Sequence, residues 1–147
     1  MNAAHSPFRS LKEYSELEYL LLGDLRDLLE HPLDEENCRW LTAVLDALFD
    51  MLPHEFALEE REGYLEDLST QHPEYSSEVE RLRGEHSTLY QRLGQLRNKV
   101  AWQAPFAVIA EQVRRDLRDW IHMVVAHNRH EQRLVQNSLN IDTGVGD

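Results

Sequence analysis

Cysteine is nearly missing from this chain: Cys38 is the only one in 147 residues. That excludes an internal disulfide framework and a cysteine-built zinc site. Positive charge is also in short supply. Fifteen Lys and Arg face 27 Asp and Glu, a formal charge of −12, and the densest basic runs (81–83 and 114–118) are broken by acidic or apolar residues. Non-specific binding to nucleic acid or to anionic membranes needs clustered cations, so both are excluded as expectations. No apolar stretch approaches the ~18–20 residues that span a bilayer, and residues 1–10 lack the apolar core of a signal peptide. Strand signals are scarce as well: no segment alternates for long, and β-branched residues cluster only at 108–109 and 124–125. These absences predict an acidic, cytoplasmic protein with one domain over 1–147.

What the chain does have is helical periodicity in four segments, expected at about 11–30, 35–64, 74–100 and 105–139, with a non-helical tail at 140–147. The first carries Tyr14, Leu17, Leu21, Leu25 and Leu28 along one face and ends at His31–Pro32. The second starts at Asp34, an N-cap residue type, and aligns Leu41, Val44, Leu45, Leu48 and Leu52. Pro53 should kink it, and Gly63 marks its end. After a turn at 69–73, the third aligns Val79, Leu82, His86, Leu89, Leu93 and Leu96. The fourth starts near Ala104–Pro105 and aligns Val113, Leu117, Trp120, Val124, His127, Glu131 and Leu134. Short connections between four helices predict an all-α, antiparallel up-down bundle.

The eight histidines divide sharply on this pattern. His86 and His127 stand where leucines should be, and so do Glu55 and Glu131. Glu55/Glu59 and His127/Glu131 repeat an i, i+4 polar pair on the second and fourth helices. A weak internal repeat aligns Glu13-Tyr14-x-x-Leu17 with Glu85-His86-x-x-Leu89. Every helix thus points an ionisable or phenolic group inward. Buried carboxylates must be paired, protonated or metal-bound. Any one of these residues fits a buried ion pair; for the whole set, one cation centre accounts for carboxylates and imidazoles together. His54 and His122 lie about 100° off the ligand stripes, with His54 an alternative ligand to Glu55. His130, one turn from His127, is expected to support the ligands by a hydrogen bond. His5, His31 and His72 are expected in solvent.

These residues resemble the hemerythrin-like (HHE cation-binding) family, bacterial type. The resemblance covers about 11–139 through Glu85-His86-x-x-Leu89, His127-Asn-Arg-His-Glu131 and Phe56-Ala-Leu-Glu59-Glu60 with Gly63-Tyr-Leu65. It implies a non-haem di-iron centre, two oxo- or hydroxo-bridged Fe ions, held by Tyr14, Glu55, Glu59, His86, His127 and Glu131, with Glu59 and Glu131 as bridges. The family has His where this chain has Tyr14 and Glu55, so one metal keeps two imidazoles while its neighbour meets oxygen donors. Anionic oxygen favours the ferric state. The resemblance therefore implies handling of dioxygen, peroxide or nitric oxide, of an oxidoreductase or peroxidase type. The alternatives are a dioxygen-binding or sensing module, an iron store, and a metal-free interaction domain.

Overall fold

The computed structural model describes residues 10–62, 64–102 and 105–142. Among them the chain is helical, with no strand: α1 Leu11–Leu29, α2 Glu35–Ala57, a π-turn Leu58–Glu62, α3 Tyr64–Gln71, a 3₁₀ turn Pro73–Tyr75, α4 Ser76–Trp102 and α5 Phe106–Asp142. α2, the π-turn and α3 form the second limb of an all-α four-helix bundle. Its neighbours run α1 on α2, α2 on α4 and α4 on α5, while α5 packs only lightly against α1. No helix among the described residues is long and apolar enough to cross a membrane.

Local chemistry sets the helix starts. Ser10 and Glu13 form a reciprocal capping box, the Ser10 hydroxyl accepting from the Glu13 amide at 3.2 Å and the Ser10 amide donating to Glu13 Oε1 at 2.8 Å. Asp34 caps α2 by accepting from the Asn37 amide at 2.9 Å. At the far end of α1, Arg118 donates to the free Leu29 carbonyl and pairs with Glu30 at 2.9 Å, and Arg114 reaches the same carbonyl. α1 is thereby tied to α5 through its C-terminal carbonyls.

Three expectations need correction. The turn expected at 69–73 begins later: α3 continues to Gln71, because Leu65 and Leu68 are buried with Val79, Leu82 and Leu134. α5 extends to Asp142, past the boundary expected at 139. His72 is not in solvent; it is buried beside Tyr75, with Nδ1 3.6 Å from Glu74. The expected ends at Gly63 and Ala104, the tail from 143 and His5 lie outside the described residues.

The core comes in two pieces. A large apolar cluster fills one end of the bundle around Leu25, Leu45, Leu48, Leu93, Leu117 and Trp120. The Trp120 indole donates to the Leu89 carbonyl at 2.9 Å, so its one polar atom is satisfied. The small cluster of Leu65, Leu68, Val79, Leu82 and Leu134 fills the other end. A buried polar layer separates them: Glu18, Glu55, Glu59, His86, His127 and Glu131.

A candidate metal centre between two apolar clusters

Each helix stripe delivers one part of this layer. On α5, His127 follows Trp120 and Val124 inward, and Glu131 follows one turn later; all four are buried. On α4, His86 lies between the buried Leu82 and Leu89. The π-turn supplies Glu59 and Glu60. A π-turn carries an extra residue per turn and is frequent at functional positions. Here two consecutive carboxylates reach one imidazole: His86 Nε2 lies 3.1 Å from Glu59 Oε1 and Nδ1 lies 2.5 Å from Glu60 Oε2.

Four side chains converge. Ligand atoms of Glu59, His86, His127 and Glu131 all lie within 4.8 Å of one another, and all four residues are buried. Glu131 Oε2 is 3.4 Å from His86 Nε2 and 3.5 Å from His127 Nε2. The outer nitrogens are already engaged, His86 by Glu60 and His127 Nδ1 by Glu85 Oε1 at 2.7 Å. The inner nitrogens are not: both Nε2 atoms and Glu131 Oε2 are buried without a hydrogen bond of acceptable geometry. Bonds of about 2.0–2.2 Å to one ion space its ligand atoms by roughly 3–4 Å; the Glu59–His86, Glu131–His86 and Glu131–His127 separations of 3.1, 3.4 and 3.5 Å fall in that range, and the whole set lies within 4.8 Å. A carboxylate behind each imidazole is also the usual support of a metal-ligating histidine. The residues fit a metal. Phe56 closes the apolar side, its ring stacked on His86 at 4.0 Å and edge-on to His127 at 6.3 Å.

Electrostatics without an ion describe the same demand for positive charge. Burial alone would lower the His86 pKa, but Glu131, Glu59 and Glu60 raise it to about 10. His127 is also raised, against burial, by Glu131 and Glu85. Burial would raise Glu131, yet the two imidazoles hold it at about 2. Burial lifts Glu59 to about 7 despite the His86 imidazole beside it. Protons thus balance the buried carboxylates where a cation would.

The oxygen side is organised differently. Glu55 is buried and outside the four-residue cluster. Ser15 donates to its Oε2 at 3.0 Å, and burial first, then the adjacent Glu18 carboxyl, push it up to about 11. Tyr14 is buried in α1, its ring parallel to that of His54 at 6.0 Å. His54 itself is exposed on α2, turned away from the layer that Glu55 enters. His130 is half-buried and meets Glu78 at 3.3 Å; Glu60 and Glu85 hold the two histidines instead.

Sequence reasoning missed Glu18. The buried stripe of α1 is Tyr14, Glu18, Leu22, Leu25 and Leu29, one residue round from the leucine stripe expected, whose Leu17, Leu21 and Leu28 are only partly buried. The signal was there in the 14-18-22 spacing, hidden by an equally good row of leucines. Glu60 and Glu85 were equally legible, each adjacent to a residue already singled out.

The fold and the cluster together define a four-helix protein with a buried two-histidine, two-carboxylate site able to hold a metal ion. The family model for the hemerythrin HHE cation binding domain matches residues 18–137, and the chain belongs to that family. The match begins at Glu18, so Tyr14 precedes it. No curated protein and no solved structure matches the chain significantly.

Proposed function

We propose that this chain is a non-haem iron protein that takes two ions in its polar layer and turns over a small oxidant or radical, dioxygen, peroxide or nitric oxide. The observation that carries this reading is the convergence of His86 Nε2, His127 Nε2, Glu59 and Glu131 with both outer nitrogens already anchored. Bound iron supplies a redox-active Lewis acid at that point. The protein's own residues do the rest. Glu60 and Glu85 fix the imidazole planes and keep the inner nitrogens directed at the ion. Phe56 keeps water from the apolar side. Between α1 and α5 a cavity of about 710 Å³ reaches Glu55, Glu59 and Glu131, and offers a small molecule a route to the layer. Tyr14 and Glu55 are the donors assigned to the second ion. Anionic oxygen there stabilises the ferric state, which favours redox turnover over reversible carriage of dioxygen.

The test is metal analysis of protein expressed in iron-replete medium, followed by mixing the reduced form with hydrogen peroxide, dioxygen and nitric oxide. Up to two iron atoms per chain and oxidation by at least one of the three are expected. Iron that binds dioxygen reversibly without oxidation points to the carrier or sensor alternative. Absence of any retained metal leaves the layer as a set of buried ion pairs and the domain as an interaction module.

A further inference from the structure

The cavity between α1 and α5 has a second pair of carboxylates on its wall that the histidine cluster does not use. Glu18 and Glu55 are 6% and 3% exposed and lie side by side. Asn128 donates to Glu18 Oε2 at 2.7 Å and Ser15 to Glu55 Oε2 at 3.0 Å, while Glu55 Oε1 is buried beside the Glu18 carboxyl with no donor reaching it, in a residue that lines the cavity. Glu59 and Glu131 line the same cavity, and no histidine does among the described residues; its two arginines, Arg26 and Arg129, are exposed. Two adjacent buried carboxylates must share a proton or take a cation between them. The donors on offer are all oxygen, a set that suits hard divalent ions such as Mn²⁺ over ions that prefer imidazole.

We propose that Glu18 and Glu55 are the donor pair of an oxygen-only cation position, adjoining the histidine cluster through Glu59 and Glu131, and that it takes a hard divalent ion of the manganese type. The inference rests on the metal reading of the histidine cluster and concerns the second ion of that reading: it pairs Glu55 with Glu18, a ligand that the family resemblance did not supply, and puts a hard divalent ion there in place of iron. It makes the two positions unequal in the metal they prefer.

The experiment is a titration of chelator-stripped protein with Mn²⁺ alone, with the free ion followed by its EPR signal and the helical fold by circular dichroism. The wild type is expected to bind two ions per chain, and Glu18→Gln and Glu55→Gln one each. His86→Ala is expected to keep the oxygen-only ion. Gln is close to isosteric and removes a buried charge, so Glu55→Gln carries the test should Glu18→Gln fail to fold. Both Gln variants still binding two ions, or a wild type that binds one ion and keeps it in Glu18→Gln, overturns the proposal while the histidine cluster stands. No binding by the wild type overturns the metal reading as a whole.

Discussion

The two sides of the polar layer solve the same problem of buried charge by opposite means. On the α4/α5 side, cationic and anionic groups alternate: Glu60, His86, Glu59 and Glu131, then His127 and Glu85, each imidazole anchored at Nδ1 by a carboxylate and facing carboxylates with Nε2. On the α1/α2 side there are only oxygens, Glu18, Glu55 and Ser15, with Asn128 reaching across from α5. The first side orients its donors before any ion arrives. The second side waits for a proton or an ion to relieve repulsion. Preorganisation comes from opposite charges sharing hydrogen bonds, and like charges can only be tolerated, through a raised pKa.

The largest expected effect lies on the preorganised side. His127→Ala or Glu59→Ala should abolish metal binding at the four-residue cluster and destabilise the fold by about 3 kcal/mol or more, because the remaining buried charges lose their partners. Metal analysis and denaturant melts measure both, and an equal loss in Glu55→Ala would erase the contrast between the sides. Next, Glu60→Gln and Glu85→Gln should weaken metal binding by about 10–100-fold while leaving the four inner donors in place. Unchanged affinity in a chelator competition would mean that the imidazoles are held by packing alone.

The metal-free protein should be sensitive to pH in three ways. His86, raised from 6.5 to about 10, stabilises the fold fully below pH 6.5, and that contribution fades as the pH rises through 10. Glu131, lowered from 4.5 to about 2, contributes above pH 4.5, and its share is lost as the pH falls through 2. Glu55, raised from 4.5 to about 11, becomes a growing liability as the pH climbs between those values. Glu55→Gln should therefore raise the apo melting temperature at pH 7 and flatten its alkaline decline. A lower melting temperature would place a stabilising carboxylate there instead. The smallest structural effect is expected from Tyr14→Phe. It should leave the melt nearly unchanged yet remove a visible phenolate-to-iron band from the ferric protein; a spectrum that keeps the band assigns Tyr14 to packing against His54.

Much of this was legible in the amino-acid order, and the exceptions have one physical cause. On α5 the expected face was the buried face, from Val113 through Trp120 and His127 to Leu134. That helix has a single apolar stripe, so its rotation about its axis is unambiguous. α1 has two competing rows, 14-17-21-25-28 and 14-18-22-25-29, a step of about 100° apart at the disputed positions. Its close packing on α2 and loose packing on α5 turn Glu18 inward and leave Leu17 and Leu21 half-buried. The choice between His54 and Glu55 is of the same kind: one step of rotation around α2 separates an exposed imidazole from a buried carboxyl.

Periodicity, caps and the recurrence of polar residues on apolar stripes thus determined by themselves that this is a four-helix bundle with His86, His127, Glu59 and Glu131 directed inward. Which acids support them, and which face each other across the cavity, was decided only in the folded chain. Helical spacing fixes what lies on one face of one helix; the π-turn that brings Glu60 to His86 and the packing that sets Glu18 against Glu55 depend on contacts between residues 26 and 37 positions apart. Those distances are closed by the tertiary structure, and no local pattern encodes them.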